Sequence, residues 1–65
     1  MATVFEYHEC VGISILSMED AIRQAVDAVA ATRKIAWFEV LSTRGRVTES
    51  NELEYQVTVR FGCKL

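Results

Sequence analysis

Cysteine and histidine are scarce in this 65-residue chain, which has two cysteines and a single histidine. Two cysteines cannot build a disulfide framework, and without a Cys-x-x-Cys pair there are too few ligands for a structural zinc site. A domain of this length buries only roughly 60% of the surface that its unfolded chain exposes, so it needs another source of stability. The hydrophobic content of 51% favours self-association as that source.

Basic residues are not in excess, because the formal net charge is −2 and the isoelectric point is about 5.2. A nucleic-acid-binding protein normally carries a basic patch or stripe, so we expect no nucleic-acid partner. No apolar run approaches the ~20 residues needed to cross a bilayer. The first residues also lack the basic and then apolar pattern of a signal peptide. We therefore expect a cytoplasmic protein with reduced thiols and no membrane partner.

Proline and internal repeats are both absent, and the length of 65 residues predicts a single domain over residues 1–65. Ser17 is a good helix N-cap, and Asp20 three residues later resembles a capping box with a shorter acid. Apolar residues spaced three and four apart then predict an amphipathic helix: Met18, Ala21, Ile22, Ala25, Val26 and Val29. Composition and alternation predict strands over residues 3–11, 36–48 and 53–65, the first of which ends at Gly12.

The element order is therefore β-α-β-β. A right-handed crossover makes the first two strands parallel, and a hairpin makes the third strand antiparallel to the second. We predict an α+β fold in which a three-stranded antiparallel sheet, in the order 1-3-2, packs on one helix. The helix can cover only one face of this sheet. Phe38 and Val40 are expected to face the helix, whereas Trp37 is expected on the open face with Gln56 and Lys64.

Trp37 is the most informative of the residues expected on the open face. Its spacing alone favours ordinary subunit packing and a planar ligand equally, since an indole offers a flat stacking surface. The spacing of Gln56 favours a solvent-exposed strand residue. Its carboxamide, however, also matches the edge of a heterocycle with donors and acceptors. Arg44 and Arg46 flank Gly45 at an expected β-bulge. They are either surface charges, which is the simpler interpretation, or ligands of a phosphate.

No arrangement of residues in the sequence indicates catalysis. It contains no paired carboxylates, no Ser-His arrangement and no glycine-rich phosphate loop. The small oligomeric tautomerases that resemble 4-oxalocrotonate tautomerase depend on an N-terminal proline, and this chain has no proline. We therefore expect a protein that is not an enzyme.

Several segments in order resemble the bacterial dodecins over nearly the whole chain. Trp37-Phe38-Glu39-Val40 followed by Arg44-Gly45 resembles their WFEV…RG segment. Tyr55-Gln56-Val57-Thr58-Val59, then Phe61-Gly62 and Lys64-Leu65, resembles their YQVTV…GF-R-L ending. Val11-Gly12, Ser14 and the alanine-rich helix match in place. No single segment is decisive, but the ordered set is specific.

The resemblance implies a β-α-β-β subunit in a hollow homododecamer that binds riboflavin, FMN or lumichrome. It implies that Trp37 stacks on the flavin ring and that Gln56 hydrogen-bonds the ring edge. It also places Arg44 and Lys64 near the phosphate of FMN. The implied role is storage, sequestration and quenching of flavin, and some bacterial members also carry coenzyme A. Two alternatives stay open: a dodecin-like assembly protein that has lost flavin binding, and a small flavoenzyme subunit.

The chain also departs from the family pattern. His8 replaces an aliphatic residue, Ile15 and Leu16 stand where relatives carry polar residues, and Lys64 replaces a common arginine. A lysine cannot make the bidentate contact of an arginine, which weakens the expectation of a phosphate site.

Strand register and the cysteine positions give two further expectations. A hairpin centred near residues 50–51 separates Trp37 from Gln56 by about eight strand positions, or roughly 26 Å at ~3.3 Å per residue. Because no flavin ring spans that distance, we predict a pocket between subunits. The pairing of strands one and three also puts Cys10 and Cys63 beyond the ~7 Å Cα separation of a disulfide, so we predict no bridge between them.

Overall fold

The computed structural model describes residues 3–65. Its sheet has the order β1-β3-β2, and both pairs of neighbouring strands are antiparallel. The elements are β1 (Phe5–Ser14), α1 (Met18–Ala30), β2 (Ile35–Val47) and β3 (Leu53–Lys64). The α+β fold class, the single helix and the strand order predicted from the sequence are therefore confirmed.

The start of α1 is fixed by two serines and one aspartate. Ser17 is the N-cap, as predicted, and its hydroxyl oxygen accepts a hydrogen bond of 2.9 Å from the Asp20 backbone N–H. Asp20 does not complete the capping box, because its carboxylate accepts a 2.6 Å hydrogen bond from the Ser14 hydroxyl. The same Ser14 oxygen accepts from the backbone N–H of Leu16 at 2.9 Å. These bonds fasten the end of β1 to the first turn of the helix.

Strand β1 runs through Gly12 to Ser14, so the predicted strand end at Gly12 is wrong. The glycine marks the closest approach of α1 to the sheet. A Cβ atom on Gly12 would overlap the backbone carbonyl of Ala21 and lie 3.2 Å from the Cβ of Ala25. Glycine inside a strand marks either a break or a close backbone approach, and here the second applies.

Strand β3 supplies most of the buried core. Its buried side chains pack against two alanines of the helix, and the core consists of Ala21, Ala25, Val57, Val59, Phe61 and Cys63. Complete burial of one large apolar side chain stabilises the fold by about 1.5–3 kcal/mol. The clean alternation of β3 in the sequence therefore reflects its central position, with the helix on one face and none on the other.

The helix lies over β1 and β3 and leaves β2 largely bare. Phe38 and Val40 point to the helix side, because they pair with the buried Phe61 and Val59. They nevertheless remain 48% and 43% exposed. An apolar groove therefore opens between α1 and β2, and its apolar lining is formed by Leu16, Ile22, Val26, Ala30, Ile35 and Phe38. The expected direction of Phe38 and Val40 was correct, but α1 does not cover them.

Two irregularities interrupt β2, one between Ile35 and Trp37 and one between Val40 and Ser42. The bulge predicted at Arg44-Gly45-Arg46 is wrong, because Gly45 pairs in register with Tyr55. A Cβ on Gly45 would lie 2.9 Å from the Glu54 carbonyl oxygen, so this glycine also allows a close backbone approach. Beyond the second irregularity, the alternation of β2 is shifted by one residue.

The two cysteines lie four positions apart along β3, because Cys10 pairs with Val59, and 63 − 59 = 4. At ~3.3 Å per residue this is roughly 13 Å, well beyond disulfide range. Both thiols are free, which confirms that they do not bridge within the subunit. Burial raises the pKa of the Cys10 thiol, which favours its protonated form at neutral pH. No helix within residues 3–65 has the length and apolarity to cross a membrane.

Replacing Gly12 by alanine should destabilise the subunit by about 1–3 kcal/mol, the usual cost of forcing extra volume into a packed contact. The added methyl group would push α1 away from β1 at Ala21. Urea unfolding at a fixed protein concentration measures this loss. Glu9→Ala on the exposed side of the same strand is the control and should change little. Equal stability of Gly12→Ala and wild type would contradict the close contact.

Candidate functional site

The indole of Trp37 lies on the open face of the sheet, directly over Gly62. Trp37 and Gly62 are cross-strand partners, and such partners share a face of the sheet. A Cβ on Gly62 would overlap three atoms of the indole ring. The ring can therefore rest against the backbone of β3 only because residue 62 has no side chain. Trp37 is 39% exposed, so part of the ring remains available for contact.

Two aromatic residues of β1 hold the indole from the side. The Phe5 ring centroid is 5.0 Å from that of Trp37, with an interplanar angle of 57°. The Tyr7 centroid is 6.2 Å away, with an almost perpendicular angle of 88°. Such tilted and edge-to-face pairs contribute about 0.5–1.5 kcal/mol beyond area burial. Phe5, Tyr7, Trp37 and Gly62, here called the stacking cluster, therefore form a supported apolar platform.

Arg60 fastens the stacking cluster to the next residues along the open face. Its guanidinium carbon lies 4.4 Å from the centre of the Tyr7 ring, within the range of a cation–π interaction. The same guanidinium donates to the Glu39 carboxylate at 3.2 Å. Tyr7 is thus held by Trp37 on one side and by Arg60 on another.

Gln56 belongs to a second cluster on the same face. The Arg44 Nε donates to the Gln56 carboxamide oxygen at 2.9 Å. The Gln56 carboxamide nitrogen donates to Glu54 Oε1 at 3.0 Å. Arg46 donates to both oxygens of Glu54, at 2.8 and 3.2 Å. Arg44, Arg46, Glu54 and Gln56, here called the amide cluster, form one continuous chain of hydrogen bonds.

The ion pair in the amide cluster shifts the titration of both partners. The hydrogen bond from Arg46 is the main cause that lowers the pKa of Glu54, and the hydrogen bond from Gln56 adds to it. The hydrogen bond to Glu54 and its negative charge raise the pKa of Arg46. Glu54 is therefore a carboxylate at neutral pH and can only accept hydrogen bonds.

The irregularity between Val40 and Ser42 brings Arg44 to the open face. Val40 lies on the helix side, and regular alternation would put Arg44 there as well. The register shift instead makes Arg44 the partner of Gln56, whose side chain lies on the open face. Arg46 follows as the partner of Glu54. A β-bulge re-aims side chains in this way.

The four residues predicted for the site divide between the two clusters. Gln56 lies with Arg44, whereas Trp37 lies at the opposite end of the sheet, where Lys64 ends β3. Trp37 stands opposite Gly62, which is six positions from Gln56 because 62 − 56 = 6. At ~3.3 Å per residue the separation is roughly 20 Å. The predicted separation of eight positions was too long, because the turn and the irregularity between Val40 and Ser42 each shift the register by one residue.

Glu6 is the centre of a small polar cluster on the helix side of the sheet. Its carboxylate lies 3.2 Å from the His8 ring and accepts a 3.0 Å hydrogen bond from Arg33. This explains how the departure at His8 is accommodated, since the imidazole finds a partner two residues away on the same face. Within residues 3–65 no cluster of three or more histidine, cysteine or acidic side chains could hold a metal ion.

Comparison with known proteins gives one consistent result. The family model for Dodecin matches residues 4–65. The chain belongs to the dodecin family. A dodecin from Thermus thermophilus is 38% identical over 66 residues, which cover 100% of this chain and 96% of the relative.

Solved structures agree with that assignment. A crystal structure from Thermus thermophilus has a TM-score of 0.89 at 37% identity and covers 98% of this chain and 96% of its own. Dodecin from Streptomyces coelicolor has a TM-score of 0.88 at 33% identity, with 97% and 91% covered. The resemblance to dodecins and the fold that it implied are therefore confirmed.

Sequence reasoning missed several residues that shape the two clusters. Gly62 interrupts a strand of otherwise alternating side chains, and such a glycine indicates a close approach of another group. Glu54 lies two residues before Gln56 and so shares its face. Both relations were visible in the sequence. The contacts of Phe5 and Tyr7 with Trp37 depend on the exact register of β1 and β2 against β3, which pattern alone does not supply.

Gly62→Ala should displace the indole of Trp37, because the new methyl group would occupy the position of the ring. The chain has one tryptophan, so its fluorescence reports on this ring alone. We expect the emission to shift to longer wavelength as the indole becomes more exposed. Thr58→Ala, on the same face of β3, is the control and should leave the emission in place. Identical spectra for Gly62→Ala and wild type would exclude the packing described.

The Arg46–Glu54 pair should make stability depend on pH. Since folding lowers the pKa of Glu54, its stabilising contribution is present above the pKa of an unfolded glutamate and is lost as pH falls through the lowered folded value. Glu54→Gln should therefore lower the melting temperature at neutral pH, and this difference should vanish in acid. Glu49→Gln at the hairpin tip is the control. A difference that persists below the folded pKa would contradict the ion-pair origin.

Proposed function

We propose that this chain binds riboflavin or FMN, and also lumichrome, between subunits of a homododecamer. Its role is to store and sequester flavin and to quench its reactivity. The proposal rests on membership of the dodecin family and on one observation above all. Trp37 is backed by Gly62 and flanked by Phe5 and Tyr7, yet it remains 39% exposed on a face that α1 does not cover.

A planar apolar ligand suits the stacking cluster. The indole cannot sink further into the sheet, because the backbone of Gly62 lies beneath it. A ring placed on its exposed side would gain the stacking energy of an aromatic pair, about 0.5–1.5 kcal/mol beyond area burial. Contact with an indole also provides a route for quenching flavin fluorescence. Stacking and quenching therefore have the same cause in this proposal.

The separation of the two clusters supports a pocket made by two chains. Trp37 and Gln56 lie roughly 20 Å apart along the sheet at ~3.3 Å per residue, too far for one ring to touch both. They share the open face, so a second subunit can place its amide cluster beside the first subunit's stacking cluster. Apolar side chains such as Val11, Ile13 and Leu16 are more than half exposed, which also favours association.

The same arrangement can bring two positive charges to one phosphate. Lys64 lies at the Trp37 end of the sheet and Arg44 at the Gln56 end. When those ends meet in a pocket, Lys64 of one chain approaches Arg44 of the other. Neither residue forms a salt bridge with another residue of the described chain. We propose that they contribute to FMN binding.

Our proposal places the assembly in the cytoplasm, where its thiols stay reduced.

Mixing two variants tests both the ligand and the pocket between chains. Riboflavin titration of the wild-type protein should quench flavin fluorescence. Trp37→Ala should weaken binding and restore fluorescence, and Gln56→Ala should cost ~0.5–1.5 kcal/mol of binding energy. Subunits of the two variants refolded together should regain some complete sites, because each site takes its indole and its carboxamide from different chains.

One control measurement shows whether the variants still assemble. Light scattering coupled to size exclusion should give the same large mass for wild type and both variants. Mixtures that bind no better than the average of the two pure variants would contradict the pocket between subunits. A wild-type protein that leaves riboflavin fluorescence unchanged would contradict flavin binding itself.

A further inference from the structure

We propose that Glu54 is a positioning residue that fixes the direction of the Gln56 carboxamide and so determines which edge of a heterocycle the site accepts. The inference rests on the proposed function. Its basis is the unequal chemistry of the two neighbours of Gln56. Arg44 donates to one end of the carboxamide at 2.9 Å, and Glu54 accepts from the other end at 3.0 Å.

These two neighbours leave Gln56 only one orientation. A guanidinium has only donors, whereas an ionised carboxylate has only acceptors. Turning the carboxamide over would place its N–H groups against Arg44 and its oxygen against Glu54, so both hydrogen bonds would be lost. Arg46 holds Glu54 in turn through two hydrogen bonds, and the Glu54 side chain is only 16% exposed. Arg46 therefore supports the orientation of the Gln56 carboxamide indirectly, because it holds Glu54 in place.

The fixed carboxamide offers a defined pattern to a ligand. A carboxamide has two N–H donors and two acceptor positions on its oxygen. One donor is used by Glu54 and one acceptor position by Arg44, so one donor and one acceptor position remain. This pair complements a ring edge in which a carbonyl stands beside a ring N–H. The ligand class is therefore a planar heterocycle with an unsubstituted imide edge, and methylation of its ring nitrogen should be penalised.

Riboflavin and 3-methylriboflavin, which lacks the ring N–H of that edge, are the probes. The wild-type assembly should bind riboflavin more tightly. Glu54→Ala should weaken riboflavin roughly two- to tenfold, the range of one lost hydrogen bond. It should leave 3-methylriboflavin almost unchanged, so the preference for riboflavin shrinks. Glu54→Gln should keep most of the preference, because its amide oxygen can still accept from Gln56.

Glu49→Ala is the matched control, since it makes the same substitution at the exposed hairpin tip. It should retain the wild-type preference. If Glu54→Ala binds flavin with the full wild-type preference, the positioning role is wrong while the proposed function stands. If the wild type binds neither flavin, the proposed function fails and this inference fails with it. Circular dichroism and particle mass show whether each variant is folded and assembled. If Glu54→Ala is not, Glu54→Leu, which has a similar size but no acceptor for the Gln56 N–H, replaces it: loss of the preference supports the positioning role and a full wild-type preference contradicts it.

Discussion

Strand β3 is the central strand and is hydrogen-bonded on both edges, and its side chains alternate between the two faces of the sheet. One row, from Val57 to Cys63, is buried beneath the helix. The other row carries Glu54, Gln56 and Gly62 on the open face. One face of β3 thus contributes to the stability of the subunit, and its other face positions residues of the candidate site. A slip of one residue would exchange the two rows and destroy both at once.

The features that could be predicted are those that depend on local periodicity. The alternation of β3, the apolar stripe of α1 and the N-cap at Ser17 each follow from a few neighbouring residues. They are sufficient for the element order, and the handedness of the crossover then restricts the topology. The positions of Trp37 and Gln56 on one open face follow from the same reasoning.

The features that could not be predicted depend on contacts between distant parts of the chain. A glycine in a strand is ambiguous until its neighbour is known, so the sequence predicts a strand end at Gly12 and a bulge at Gly45, where the structure has close backbone approaches. The actual irregularities lie near Trp37 and Leu41, and the surrounding residues gave no indication of them. The hydrogen bonds of the amide cluster likewise depend on the pairing of β2 with β3. An error of one residue in the predicted position of the turn changes every one of those pairs.

The irregularity between Val40 and Ser42 makes the number of residues in β2 as important as their identity. Arg44 and Arg46 reach the open face only because one extra residue is accommodated there. Removal of Leu41, the unpaired residue, would leave every side chain between Ser42 and Val47 unchanged. It would nevertheless carry both guanidinium groups to the other face of the sheet. Substitutions at Leu41 that preserve the backbone change only one side chain. Insertions and deletions in this short stretch would therefore be far more damaging than substitutions.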